Sequence, residues 1–394
     1  MKIGIITHYY KSKNYGGNLQ AYALQRYLGS KYTVEQICYE NITSPKSKKE
    51  LFAELGFLGF SKKCVKYMIS GMKNIFRKRN REVESLLEKR KQAILGFNQN
   101  IPHSNIKYTP KNIAEAESQY DCFITGSDQV WHPSAVNDAY LLKFVQNKPK
   151  LSYAASLAVS QLTPQQEEVM HNALQGYWSI SVREENAVVL LKDIIAQKVE
   201  WVLDPVFLFG KEEWSEMAVE TPIKEKYLFC YFLGTDKKCR NLAKAYAQKK
   251  NLKIVTFPYL QGVYQTCDKN FGDIPLYDVD PLGFVSLIKN AECVFTDSFH
   301  ALAFSRIFEK QYFVFNRNGK RAMNDRIYSI CKLFDEWGHF CDGTDKLSLK
   351  YIIGQTPIDY TKKFELFEKK KAQSRAYLWD TLEGVEKNSL CVNL

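Results

Sequence analysis

Apolar residues fall in short β-rich runs that alternate with stretches of helical spacing along most of the chain. Residues 2–7 (KIGIIT) form the first run, NYGGN breaks it, and LQAYALQRYL follows. Its spacing places Leu19, Tyr22, Ala23, Arg26 and Tyr27 on one helical face. Residues 34–39 read as the next strand, so the chain opens β-loop-α-β, the start of a doubly wound sheet. Further strands are expected at 120–125, 151–155 and 180–182, with a helix over 163–175 opening at Thr163-Pro164. Residues 199–208 (VEWVLDPVFL) end a strand at an Asp-Pro turn. A crossover follows near 205–225, which holds Pro205, Gly210 and Pro222. The rhythm then restarts: strands at 227–232, 252–257, 293–296 and 312–315, and helices at 237–250, 281–292, 298–308 and from about Arg326. The pattern predicts two Rossmann-like α/β domains, 1–210 and 225–350, facing across a cleft. A long helix over 361–386 is expected to pack back towards the N-terminal domain.

Composition narrows the class. The 394 residues are 45% hydrophobic and 25% charged, which excludes disorder and collagen. No apolar run reaches the ~18 residues of a spanning helix, and the first strand is too short for a signal peptide; the expectation is a cytoplasmic chain. The ten cysteines are too scattered for a CxxC pair, as suits free thiols in a reduced compartment. Most of the +12 net charge sits in residues 46–91, where 14 Lys/Arg face 5 Asp/Glu. Charge confined to one insertion, without a groove of interleaved aromatics, argues against a nucleic-acid partner. Within it, Val65, Met68, Ile69, Met72 and Phe76 share a helical face flanked by Lys66 and Lys73. That stripe suits a peripheral contact with an anionic membrane; the plainer alternative is packing on the N-terminal domain.

Four polar motifs follow predicted strands: NYGGNLQ (14–20), GSDQVW (126–131), SVRE (181–184) and DSFH (297–300). Ligands bind at the carboxyl ends of strands in open α/β sheets, so their shared placement says more than any one motif. Singly, each has a plain reading. NYGGNLQ is a tight turn into a helix, and Ser127 or Asp128 is an N-cap. Arg183 pairs with Glu184 or Glu185, or else takes an anionic ligand. Asp297 caps a helix, while His300 at its start is suited to proton transfer. Trp131, if exposed, offers a stacking face for a sugar.

Taken in order, NYGGNLQAYAL, DCFITGSDQVWHP, YAAS, SVREENA, LDPVFL, LIKNAECVFTDSFHALAFS and NDRI (324–327) resemble the polysaccharide pyruvyl transferase family. The resemblance implies a GT-B-like fold, phosphoenolpyruvate as donor and a sugar diol as acceptor. The product would be a pyruvate ketal on a bacterial surface polysaccharide or its lipid-linked oligosaccharide precursor. It also implies roles: His300 as acid, Asp128 as base and Asp297 in reserve. The donor would meet Arg183, Ser298, Phe299, Arg326, Gly126 and Ser127. The acceptor would meet Tyr15, Gly16, Gly17, Asn18, Gln20, Gln129 and Trp131. Relatives carry a basic residue two positions before the histidine; here it is Ser298, and Arg326 is the expected replacement. The scheme calls for neither metal nor cofactor. The rival reading is a GT-B-type glycosyltransferase with a nucleotide-sugar donor, which fold alone does not separate.

Overall fold

The computed structural model describes residues 1–42, 81–317, 325–343, 345–362 and 364–392. The 65–76 stripe, most of the basic insertion and Asn324 of the NDRI motif lie outside the described residues.

The N-terminal sheet holds β1 (Lys2–Ile6), β2 (Thr33–Gln36), β3 (Cys122–Thr125) and β4 (Lys150–Ser152) in the order β2-β1-β3-β4. β5 (Ile180–Val182) and β6 (Val199–Trp201) extend it through parallel bridges Leu151↔Ser179 and Ala155↔Val182. The C-terminal sheet contains β7 (Tyr227–Tyr231), β8 (Lys253–Thr256), β9 (Ile274–Pro275), β10 (Cys293–Thr296), β11 (Gln311–Phe315) and β12 (Phe340–Cys341). Its order is β12-β11-β10-β7-β8-β9. Paired strands in both sheets are parallel. Helices cover both faces of such sheets, which is why CFIT, YLFCY and CVFT are apolar without alternation and buried throughout. The strand order reverses between β1 and β3 in one sheet and between β7 and β10 in the other. Those two switch points are the expected ligand sites.

Helix α1 (Tyr15–Leu28) leaves β1 through Asn14, whose side chain accepts the Gly17 N–H at 3.2 Å. The single apolar face expected here is corrected by the structure. Residues 15–21 are all buried, as are Leu24, Gln25 and Leu28, whereas Arg26 is exposed. One side of α1 lies on its own sheet and the other meets the C-terminal domain. There Tyr15 packs among Tyr231, Phe257 and Phe284, and its hydroxyl donates to the Val279 carbonyl at 2.8 Å. Helix α2 (Arg81–Asn98) adds a second tie, Arg90 donating to the carbonyls of Pro258 (2.7 Å) and Leu276 (3.0 Å). One apolar core therefore runs from Leu19 and Ala23 through Val206, Phe207 and Trp214 to Phe284 and Phe304.

Helices α3 (Pro164–Leu174), α4 (Glu185–Lys192) and α5 (Lys211–Met217) complete the first half. In the second half lie α6 (Lys237–Lys250), α7 (Pro281–Lys289), α8 (Phe299–Ile307), α9 (Asp325–Phe334) and α10 (Leu349–Gly354). The last helix, α11 (Glu365–Val392), crosses back to the N-terminal sheet. Its Leu378, Leu382 and Val385 pack with Ile3, Ile5, Leu24 and Leu28. It starts four residues later than the pattern predicts, because Asp359 accepts from the amide and hydroxyl of Thr361 and holds that stretch in a turn. Cys38, Cys122, Cys230, Cys239, Cys293, Cys331 and Cys341 are free and buried, and Cys267 is free and half-buried.

Candidate active site

The loops after β1, β3 and β5 meet the β10–α8 turn across the cleft. β3 ends at Gly126, which has a φ of +109°. A Cβ there would lie 2.3 Å from the Tyr153 carbonyl oxygen, so the position admits only glycine. The turn then sets Asp128 at φ +66°, a left-handed conformation costing a non-glycine residue about 1–3 kcal/mol. Such strain persists where surroundings hold it. Here the Asp128 carbonyl accepts from Val130 N and Ser156 N, and Ser127 N donates to Gln20 Oε1 at 3.1 Å.

Arg183, at the end of β5, is the centre of the charge cluster. Its Nη1 lies 2.6 Å from Asp204 Oδ2, its Nη2 3.3 Å from Asp128 Oδ1 and its Nε 3.8 Å from Glu184 Oε1. Burial disfavours the guanidinium's charge, but the three carboxylates outweigh it and raise its pKa. Arg183 is therefore saturated by carboxylates and is not presented as a bare cation. Asp204 begins the Pro205–Leu208 turn and is itself wholly buried. Its Oδ1 accepts from Val206 N, while Oδ2 accepts from Arg183 Nη1 and, at 3.4 Å, from the Ser127 hydroxyl; His300 Nε2 stands 3.6 Å from Oδ2 without a hydrogen bond. Burial pushes this carboxyl up, yet His300 and Arg183 hold it well below the usual carboxylate range. Asp128 is likewise held low against burial, by Arg183, His300, His8 and Arg326.

On the C-terminal side, Ser298 N donates to Thr296 Oγ1 at 3.0 Å, and α8 starts at Phe299. The Phe299 ring has the Arg183 guanidinium 4.8 Å from its centre and that of Arg326 5.8 Å away. Arg326, on α9, is 8% exposed, and its Nε has no hydrogen-bond partner among the described residues. Among those residues it forms no salt bridge either. Burial and the neighbouring Arg183 push its pKa down to about 10. His300 lies between Asp204 on its Nε2 side and Gly16 on its Nδ1 side; a Cβ on Gly16 would sit 2.0 Å from Nδ1. The close approach of α1 to this ring is what requires glycine at 16.

The remaining predicted residues divide plainly. Asp297 is turned away from the cluster: its oxygens accept from Leu233 N and Gly234 N, each at 2.7 Å, and Arg317 Nε is 3.7 Å away. Burial raises its pKa, opposed by Arg317 and those amides. Trp131 is not exposed: it is fully buried, its Nε1 donating to the Tyr140 carbonyl at 3.3 Å, so it offers no stacking face. Tyr15 pins the two domains. Asn18 donates to the carbonyls of Ser12 and Asn14. Gln20 links Thr7, Gly17 and Ser127. Gly17 lies under Asp128. Of the residues assigned to the acceptor, Gln129 alone is half-buried rather than buried, and its Nε2 has no partner among the described residues.

Two residues of the cluster escaped the sequence reading. Asp204 stood inside LDPVFL but read as a turn. His8 follows β1 with no motif around it; its ring meets Tyr140 edge-on at 4.6 Å. Burial lowers its pKa, partly opposed by Asp128. Among the described residues, no group of three or more His, Cys, Asp or Glu side chains is arranged to hold a metal.

Two parallel α/β domains with charged groups gathered at facing switch points define a GT-B-type fold, and the solved structures agree. The UDP-N-acetylglucosamine 2-epimerase of Rickettsia bellii superposes with a TM-score of 0.52 at 11% identity, over 98% of this chain and 97% of that one. The UDP-GlcNAc 2-epimerase of Methanocaldococcus jannaschii, in complex with UDP-GlcNAc and UDP, gives 0.50 at 12% identity over 96% and 100%. At such identities the likeness is one of fold alone. No curated protein matches the sequence. The family model for polysaccharide pyruvyl transferases matches residues 14–319, so the chain belongs to that family and is a transferase.

Proposed function

We propose that the chain moves the pyruvyl group of phosphoenolpyruvate onto two hydroxyls of a sugar, forming a pyruvate ketal and releasing phosphate. The observation that carries this reading is Arg326: a buried guanidinium without a salt bridge among the described residues, beside Phe299 and across from the His300–Asp204 pair. An unneutralised buried cation is costly, and an anionic ligand would offset that cost. Phosphoenolpyruvate brings both a carboxylate and a phosphate, and guanidinium suits either.

Protonated His300, its charge stabilised by Asp204, gives a proton to C3, and C2 becomes an oxocarbenium-like electrophile. A sugar hydroxyl adds to C2 and loses its proton to a base. The C2–O bond to phosphate breaks, and a second hydroxyl closes the ketal. One hydroxyl proton replaces that delivered to C3 and the other leaves with phosphate. Asp128, held low by its cations, is a weak proton acceptor, whereas His8 beside it is neutral at pH 7 and better matched as base. Asp128 then positions His8 and Arg183. The reading requires no metal or cofactor.

A lipid-linked oligosaccharide acceptor, met at the inner face of a membrane, belongs to the same reading and is supported by the +9 charge of residues 46–91. No described helix is long and apolar enough to cross a membrane. The test is phosphate release: an acceptor-dependent burst of phosphate from phosphoenolpyruvate supports the reading. Release of nucleotide from a nucleotide-sugar, with phosphoenolpyruvate left intact, would replace it with glycosyl transfer.

A further inference from the structure

A cavity of about 220 Å³ opens at the switch point of the C-terminal sheet, between the ends of β7 and β10. Leu233, Gly234, Thr235 and Asp236 form one wall; Gln261, Asn316 and Arg317 form another, and Asp297 joins them. Phe232 and Cys239 supply an apolar floor. The cations of the lining are already engaged. Arg240 gives Nε and Nη2 to Asp268 (2.9 and 2.6 Å) and its other donors to the Asp236 and Gly234 carbonyls, which fixes the 233–236 loop. Arg317 donates to the Asp297 carbonyl at 2.9 Å and flanks the Asp297 side chain. With Asp236 and Asp297 in the same lining, the cavity is poorly suited to phosphate or to a dianionic donor. Amide, hydroxyl and carboxylate groups over an apolar floor instead match a neutral ring bearing many hydroxyls. The volume lies below the ~300–1,000 Å³ of drug-sized pockets, which fits one ring.

We infer that this cavity is the subsite for a sugar ring of the acceptor. The inference rests on the pyruvyl-transfer reading for the identity of the ring as an acceptor. It moves acceptor binding from the 15–20 segment, which is buried scaffold, to the C-terminal domain. The spacing is suitable: Asp297 and His300 are three residues apart, so their Cα atoms are at most ~11 Å from each other. A ring held at Asp297 is therefore within reach of the charge cluster for a short oligosaccharide.

The test uses the full-length protein and a Gln261→Ala/Asn316→Ala variant. Binding of methyl glycosides of the common hexoses and N-acetylhexosamines is followed by saturation-transfer NMR, with phosphoenolpyruvate and UDP titrated separately. The expected result is that at least one glycoside binds the wild type and binds the variant about tenfold more weakly. Phosphoenolpyruvate affinity should stay within about twofold, which also shows that the variant is folded. Unchanged glycoside binding in the variant overturns the subsite, and so does displacement of the glycoside by UDP. If phosphoenolpyruvate binds the wild type and no glycoside does, the subsite fails while the pyruvyl reading stands. If the variant loses a glycoside but phosphoenolpyruvate never binds the wild type, the sugar site stands and the pyruvyl reading fails.

Discussion

Gly16→Ala is a direct probe of the contact between the two halves of the site. The added methyl would lie 2.0 Å from His300 Nδ1, 2.3 Å from Cγ and 2.7 Å from Cε1, whereas ordinary contact begins near 3.4 Å. The imidazole and α1 must therefore separate by at least about 1.4 Å. The ring has little room, being 6% exposed with Asp204 on its far side. Misplacing a reacting group by ~1 Å can cost ~10²-fold in rate, so kcat should fall by at least that factor. Stability should change less: overpacking costs about 1–3 kcal/mol, and alanine in a helix returns about 0.5–1 kcal/mol. Gly17→Ala is the internal control. Its methyl would meet His8 O at 3.2 Å and Asp128 Oδ2 at 3.4 Å, which neighbours absorb with shifts of a few tenths of an ångström. The assay is phosphate release from phosphoenolpyruvate, alongside a thermal melt. Wild-type kcat in a folded Gly16→Ala protein, or equal damage from Gly17→Ala, would refute the placement of His300 against α1.

Asp204→Asn removes the charge shared by Arg183 and His300; breaking a buried ion pair costs about 3–5 kcal/mol, so urea unfolding should show that loss together with depressed kcat. Arg326→Ala should weaken phosphoenolpyruvate by ~10–150-fold, the equivalent of a charge-assisted hydrogen bond, with acceptor KM little changed; equal weakening of both substrates would contradict its role. Acid should destabilise the fold in two stages. His339, pushed down to about 4 by burial and by Arg306, is neutral when folded and protonated when unfolded below pH 6.5, so its contribution is present above 6.5 and lost as pH falls to 4. Asp204 and Asp128, also held low, lose theirs below about pH 4, and His339→Gln should flatten only the upper stage of an unfolding-versus-pH curve. Deleting residues 57–80 should abolish co-sedimentation with anionic liposomes at low salt; binding that survives the deletion removes the membrane contact.

The strands were readable because covered parallel strands are apolar on both faces, so YLFCY and CVFT needed no partner to be recognised. The faces of α1 were not, since a second domain covers what a lone helix would expose; Gln20, expected to meet the acceptor, is a buried bridge between Thr7, Gly17 and Ser127 instead. Trp131 misled in a related way. WHP has the composition of a loop, but Trp131 N donates to the Ser156 carbonyl and draws the indole into the core. Asp204 was beyond reach for another reason: its partners lie 21 and 96 positions from it, and no local spacing encodes a pair closed by the fold.

The cluster's composition sets its two arginines apart. Arg183 meets three carboxylates, one of them Asp204, so its charge is neutralised before any ligand arrives. That arrangement makes it a brace that sets the positions of Asp128 and Phe299. Arg326 receives only distant help from Asp128 and Glu184, and the like charge of Arg183 opposes it. Ser298 places no cation two residues before His300. Arg326 approaches the same turn from α9, over the face of Phe299. A lysine would keep the charge at 326 but lose the planar fork, so Arg326→Lys should bind phosphoenolpyruvate more tightly than Arg326→Ala yet more weakly than the wild type. Identical affinities for the lysine and alanine variants would mean that Arg326 acts through packing on Phe299 rather than through its charge.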